Sequence, residues 1–283
     1  MASASSDTGG GGLVSFHQLA VATTALTFVL LLLGIYTAVA GAGLTCAGRW
    51  PFCDGWLGLF PANWPSFIEW FHRLVAMVVG FMVFGLTVSA WRRGRSKAVR
   101  WATTGALALL PTQIILGALT VTQYEIVILT AHFVFAVLIF SLLVTATALT
   151  FDTALETPQR WGALAAFALV PVVAVATPFV LISGSVPVHI GYYAVGLLAF
   201  AALLSLGLWS MDESASRRTP ATAFGAAALL AGLLLQGRLV IAPSAQAELA
   251  LAGGLIGGLA LAAAWWALRD AAGGLVPALS RSS

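Results

Sequence analysis

The sequence predicts an all-α integral membrane protein: eight transmembrane helices in two pseudo-repeated four-helix bundles, with both termini cytoplasmic. Three observations carry that prediction. Of 283 residues, 60% are hydrophobic and 8% charged, where a soluble domain carries about 25% charged residues. Apolar runs of the roughly 20 residues needed to cross a bilayer core recur along the whole chain. Lys and Arg gather in alternate loops. The formal net charge of +3 is small and locally placed, which argues against a nucleic-acid partner and makes the charge a guide to topology.

Apolar runs read against Pro, Gly and charge give spans at about 16–40, 66–91, 99–122, 126–151, 161–183, 186–210, 220–242 and 246–268. The first run has no basic segment before it and exceeds the 7–15 apolar residues of a signal peptide, so it reads as a span. Residues 1–12 are a Ser/Gly-rich tail read as disordered, and 273–283 form a C-terminal tail. Between the tails the chain divides into an N-terminal half, 13–152, and a C-terminal half, 153–272.

Orientation follows from the positive charges. Arg92, Arg93, Arg95, Lys97 and Arg100 fall between spans two and three, Arg160 between four and five, and Arg217 with Arg218 between six and seven. Arg269 and Arg281 follow the last span, and Arg49 is the clear exception on the other side. The alternation puts both termini in the cytoplasm and the remaining loops outside. A weak repeat accompanies it. Gln113-Ile-Ile-Leu-Gly117 in span three resembles Leu235-Gln236-Gly237 in span seven, and spans two and six each carry a histidine near the start. The two halves therefore run the same way.

The four histidines are His17, His72, His132 and His189. The last three lie near the outer ends of their spans. An ionisable group within a span is costly to keep and defaults to a functional hypothesis. For each alone, the bland alternative is a hydrogen-bonded histidine near the interface, and for His17, at the inner end, that reading prevails. Glu69 and His72 are three residues apart and share one helix face, with Arg73 beside them. Spans two and four are parallel, so His72 and His132 can hold a flat ligand between them at one depth. A haem suits this, since helix bundles build cofactor sites from facing helices and histidine is a common axial ligand. Zinc suits it less, because it prefers three or four ligands in a tight tetrahedron.

The outer loop between spans one and two holds the only two cysteines, Cys46 and Cys53. Such a pair can oxidise in an extracytoplasmic loop. It reads either as a staple fixing a lid above Glu69 and His72, or as a redox-active thiol pair. Arg73 has two readings of its own, a partner for a haem propionate or a side chain snorkelling to the headgroups. Arg238, near the outer end of span seven, shares that ambiguity. Trp50, Trp56, Trp64 and Trp70 read as an interfacial aromatic belt before they read as haem-stacking groups.

These residues resemble the haem A synthase family. The resemblance rests on Gly-Leu-x-Cys-x6-Cys over residues 43–53 with its internal Trp-Pro, on Glu69-x-x-His72-Arg73, on Gln-x-x-Leu-Gly at 113–117, and on His132. It is specific over about 13–150 and mainly topological beyond. It implies an eight-helix protein of two four-helix halves that oxidises the C8 methyl of haem O to the formyl group of haem A. His72 and His132 would then flank haem O as iron ligands, and Glu69 would be the acid near the reacting methyl. Cys46 and Cys53 would correspond to the paired outer-loop cysteines of some members. Partners implied are the lipid bilayer of the plasma membrane, haem O, a haem O synthase and an electron donor, with a homo-oligomer left open.

The second half departs from the family pattern, which places a further histidine pair around a haem b. His189 lies 117 positions after His72, so a partner for it should fall near 249. That span reads Gln246-Ala-Glu248-Leu-Ala-Leu, with no histidine. His189 alone, His189 with Glu248, or loss of the cofactor are the three readings left. The competing functions are a membrane b-type cytochrome that only carries electrons, which has no need of Glu69, and a quinone-linked thiol oxidase, which usually needs more cysteines than this chain has.

Overall fold

The computed structural model describes residues 14–123, 125–151, 158–183, 185–211, 217–236 and 246–273. Eight long helices follow one another: α1 (Phe16–Val39), α2 (Trp64–Arg92), α3 (Lys97–Thr122), α4 (Ile126–Ala148), α5 (Pro158–Ser183), α6 (Val186–Trp209), α7 (Arg218–Gln236) and α8 (Gln246–Gly273). Among the described residues, the first seven are long and apolar enough to cross a membrane, and α8 carries an apolar stretch over Leu251–Ala267. The chain is a multi-pass membrane protein. Helix bounds agree with the expected spans to within a few residues, except that α7 is described only to Gln236. The rest of that span, including Arg238, lies outside the described residues. So do the tail at 1–12 and all but the first residue of the tail at 273–283.

Local chemistry sets the helix ends. Ser15 and Gln18 form a reciprocal capping box at the start of α1, satisfying two of the N–H groups that a helix start leaves orphaned. Asn63 caps α2 through the Ser66 N–H, with Pro65 in the first turn, where its missing N–H costs nothing. Ser96 caps α3 in the same way. At the end of α2, Gly94 takes φ +59. The Arg95 and Gly94 N–H groups return to the carbonyls of Ala90 and Trp91, the pattern of a Schellman stop.

Helices α1 to α4 pack as a ring, each against its sequence neighbour and α1 against α4; α5 to α8 repeat that ring. The rings join where α6 lies against α1 and α4. Leu31, Ile35, Phe133, Phe140 and Tyr193 belong to the apolar cluster that runs from the first ring into the second. A second cluster, with Val83, Leu86 and Leu143, fills the far end of the first ring. Large apolar side chains such as Phe81, Phe84, Ile115 and Val175 face outward, as a lipid solvent permits.

Polar contacts tie neighbouring helices together at several points. Thr24 and Thr147 pair hydroxyls at 2.8 Å between α1 and α4. The Trp209 indole donates to the Ala148 carbonyl at 2.9 Å, tying α6 to α4 across the two rings. His17 meets the Thr150 hydroxyl at 2.8 Å and packs edge-on against Phe151, a hydrogen-bonded histidine at the end of the bundle remote from the other three. The basic turn between α2 and α3 fastens the start of α1. Arg93 donates to the Val14 carbonyl, and the Arg95 guanidinium lies 5.0 Å from the centre of the Phe16 ring.

Candidate haem site beneath the disulfide loop

Residues 40–63 form a lid over the end of the first ring, and covalent and hydrogen bonds hold it in shape. Cys46 and Cys53 are joined in a disulfide and both are fully buried. The stapled loop is therefore the state described, and no free cysteine remains. Cys46, Ala47 and Leu57 sit in the left-handed region, with φ of 53–56, a conformation that costs an L-residue roughly 1–2 kcal/mol and needs its surroundings to impose it. Gly55 has no room for a side chain, since a Cβ there would lie 2.6 Å from the Phe60 carbonyl oxygen.

Asp54 anchors the loop to α2. Its carboxylate accepts from the Ser66 hydroxyl at 2.6 Å, the Ala62 N–H at 2.9 Å and the Asn63 amide at 3.4 Å. Those donors, the Ser66 hydroxyl first, hold the Asp54 carboxyl below its ordinary pKa, since hydrogen bonds to the charged form favour it. Ser66 in turn accepts from the Cys46 N–H at 3.3 Å. The Trp70 indole donates to the Leu59 carbonyl at 2.9 Å. Trp56, Phe60, Trp70 and Phe67 continue as a chain of tilted and stacked rings. Trp56 and Trp64 are largely exposed, as belt residues would be.

Under the lid, the first turns of α2 present Glu69, His72 and Arg73. Glu69 is 5% exposed, and its carboxylate has one close donor and one distant hydroxyl nearby. Arg73 Nη2 lies 2.9 Å from Oε1, and the Thr45 hydroxyl lies 3.5 Å from Oε2. The other terminal nitrogen of Arg73 donates to the carbonyls of Arg49 at 3.1 Å and Phe52 at 2.9 Å, both within the disulfide-closed loop. Arg73 thus ties lid to carboxylate, a use that neither sequence reading of it contained. Thr45 was also missed: its hydroxyl donates to the Ala42 carbonyl at 2.7 Å and lies at the edge of reach of the carboxylate.

The two histidines of the first ring come together. His72 on α2 and His132 on α4 lie within electrostatic reach of each other. Each is backed by a glycine of the preceding helix. A Cβ on Gly34 of α1 would lie 3.1 Å from His72 Cε1, and one on Gly117 of α3 would lie 3.3 Å from His132 Cε1. The Gln113 amide nitrogen is 3.5 Å from His132 Nε2. Several polar atoms at this end are buried without a partner: His72 Nδ1, Arg73 Nε, Gln113 Oε1 and Thr130 Oγ1. Buried polar atoms are nearly always satisfied, so a group of them around two imidazoles fits a site built for a polar-edged ligand. Imidazole nitrogens, an amide and a guanidinium suit an iron porphyrin, which offers a metal at its centre and carboxylates at its edge.

Residues 62–187 match the model of the COX15-CtaA family, described as cytochrome oxidase assembly protein. This stretch is similar to that family. It contains Glu69, His72, Arg73, Gln113, Gly117 and His132, begins after both cysteines, and ends just before His189.

The chain is also similar to curated proteins of two names. A protoheme IX farnesyltransferase of Halobacterium salinarum is 40% identical over 127 residues, 44% of this chain and 28% of that protein. A heme A synthase of Shouchella clausii is 31% identical over 147 residues, 50% of this chain and 48% of that protein. One from Geobacillus kaustophilus is 30% identical over 141 residues, 49% of this chain and 44% of that protein. The matches thus span less than half the length of each of these relatives. With bacterial and archaeal relatives, the multi-pass bundle is a plasma-membrane protein.

His189 stands apart from this constellation. It lies in the first turn of α6, in the second ring, with Nδ1 2.9 Å from the Ser185 carbonyl oxygen of its own helix. Glu248, the other residue considered for that ring, is exposed in the first turn of α8, where a carboxylate complements the helix dipole without further purpose. Among the described residues the one cluster of metal-ligating types is Cys46, Cys53 and Asp54. Its two sulfurs are already bonded to each other, so it is no metal site.

Proposed function

We propose that this protein is a haem A synthase, oxidising the C8 methyl of haem O to a formyl group at the lid end of its first four helices. The overall change, R–CH3 + O2 → R–CHO + H2O, balances with dioxygen as the oxidant. The observation that supports the reading best is the joint placement of His72 and His132 on parallel helices, with a buried carboxylate one turn before His72. A pure electron carrier needs the imidazoles and has no use for Glu69. A thiol oxidase is disfavoured by the lack of any cysteine beyond the one disulfide.

In this reading residues 13–152 form the substrate half, with His72 and His132 as the iron ligands of haem O. Bound there, the porphyrin supplies both the reacting methyl and the iron. Glu69 is the group that holds or moves a proton beside the methyl, and Arg73 fixes where its carboxylate points. The lid over residues 40–63 keeps water from that carboxylate. The free Nε of Arg73 leaves it one donor for a propionate. Residues 153–272 form the second half. His189, with no histidine in α8 to match it, marks a degenerate haem b site there. A farnesyl-transferring enzyme that makes haem O is the natural supplier, in keeping with the name of the Halobacterium salinarum relative.

The test is expression in cells that make haem O and lack haem A. The intact protein should yield haem A, and Glu69→Ala should abolish it while leaving haem bound. Pigment extracts containing only haem O and haem b from cells with the intact protein overturn the reading.

A further inference from the structure

We propose that Gly34 and Gly117 are positioning residues for the two iron-ligating imidazoles, each removing a side chain so that the Cε1 edge of a histidine ring can lie close against the helix before it. The inference deepens the haem reading above and rests on it.

The two positions are alike in sequence and in contact. Gly34 lies in Leu33-Gly34-Ile35-Tyr36-Thr37 of α1, and Gly117 in Leu116-Gly117-Ala118-Leu119-Thr120 of α3. In both, the threonine turns its hydroxyl back onto the helix, Thr37 onto the Leu33 carbonyl at 2.8 Å and Thr120 onto the Gly117 carbonyl at 2.7 Å. Each helix runs antiparallel to the one that follows it and carries the ligand. The first half thus repeats one device twice: a Leu-Gly-x-x-Thr segment behind a histidine.

What the glycines face separates this from ordinary close packing. The three atoms nearest a Cβ at Gly34 all belong to the His72 ring: Cε1 at 3.1 Å, and Nδ1 and Nε2 at 3.8 Å. At Gly117 the two neighbours within 4 Å are His132 Cε1 and Nδ1. Elsewhere a glycine serves other ends. Gly253 lets the α5 backbone approach, with the Ala174 carbonyl oxygen 3.3 Å away, and Gly196 receives the Leu234 side chain. A helical glycine is less favourable than alanine, so its use behind each imidazole calls for a reason. The buried, unpartnered Nδ1 of His72 adds an independent sign that this ring is held for a ligand. A Cβ at 3.1–3.3 Å would displace each ring by a few tenths of an ångström, about the tolerance of a preorganised metal site.

The experiment compares Gly34→Ala, Gly117→Ala and Gly85→Ala, the last at a position in α2 where an added Cβ meets open space. Each full-length protein is purified in detergent and checked for monodispersity. Haem content, low-spin electron paramagnetic resonance of the oxidised haem, and imidazole NMR signals of the haem-free protein are then recorded. Gly34→Ala and Gly117→Ala should each weaken haem retention about tenfold, the low end for changes behind a metal ligand. They should also change the resonance anisotropy that reports imidazole orientation. In the haem-free protein, Gly34→Ala should shift the His72 signals and Gly117→Ala those of His132. Gly85→Ala should match the parent in all three.

Should either glycine variant lose its fold, the other and the haem-free NMR still decide the matter. Parent-like spectra, haem content and imidazole signals in both variants overturn this inference while leaving the haem reading intact. A parent protein that binds no haem defeats the haem reading instead, and the imidazole signals then judge the glycines alone.

Discussion

Arg73 Nη2 donates to Glu69 Oε1 at 2.9 Å, one helical turn back on α2, while Nη1 of the same guanidinium holds two carbonyls of the disulfide-closed loop. One planar cation therefore sets both the lid and the carboxylate beneath it. An isolated surface pair of this kind contributes little. Here Glu69 is buried, and loss of either partner strands a charge away from water.

Arg73→Lys should keep the charge and lose the fork, because an ammonium cannot span three acceptors in a fixed plane. Hydrogen bonds to charged groups contribute about 1.5–3 kcal/mol each, so the loop should become open to protease between residues 40 and 63. Formyl product should fall about tenfold or more. Limited proteolysis and haem extraction from the same preparation check this. An intact loop with undiminished product shows that the guanidinium is not the tie.

Glu69→Gln preserves shape and the Thr45 contact but removes the negative charge. Turnover of haem O should stop, while haem content stays within about twofold of the parent, because on the proposed reading the imidazoles hold the iron. Co-purified pigment, quantified after acid–acetone extraction, distinguishes the two quantities. Haem loss in step with activity would make Glu69 a binding residue.

Cys46→Ser opens a closed loop of seven intervening steps, which chain-entropy arguments value at about 2–3 kcal/mol. The variant should melt at lower temperature in detergent and retain measurable haem A production. Complete inactivity of a stable, haem-loaded Cys46→Ser protein, repeated with Cys53→Ser, would instead assign redox work to the pair.

Asp54 supplies a pH dependence with a definite sign. Its carboxyl is held below the ordinary value, chiefly by the Ser66 hydroxyl. Its contribution to holding the loop is therefore present above about pH 4, the unfolded carboxyl value, and is lost as pH falls through the lower folded value. Tryptophan fluorescence of the lid should thus be flat from neutrality down to about pH 4 and change below it. In Asp54→Asn that acid transition should vanish. An unchanged transition in the variant would place the titrating group elsewhere.

Much of the fold was legible because lipid imposes a simple rule on sequence: an apolar run of sufficient length is a span, and basic residues such as Arg92 to Arg100 mark one side. That His72 and His132 lie at the same end of the first ring was legible for a related reason, since alternate spans are parallel and near-terminal residues share a depth. Contacts that depend on side-chain direction were not. Gly34 looks like any small residue in Leu-Leu-Leu-Gly-Ile until His72 is seen against it. Arg73 offered a propionate or a headgroup as its partner, and the loop carbonyls of Arg49 and Phe52 entered only with the fold, because a loop with left-handed residues at Cys46, Ala47 and Leu57 has no periodicity to read. His189 had the right depth by counting, yet its ring is turned to the Ser185 carbonyl of its own first turn.

The central claim is that the imidazoles of His72 and His132 share one porphyrin. Optical spectra of the reduced and oxidised protein, purified from haem O-producing cells, test it directly when taken beside those of His72→Ala and His132→Ala. The account predicts a low-spin haem O spectrum in the parent, lost or converted to high spin by either substitution. A colourless parent protein, or a low-spin haem O spectrum unaltered by both substitutions, would contradict it.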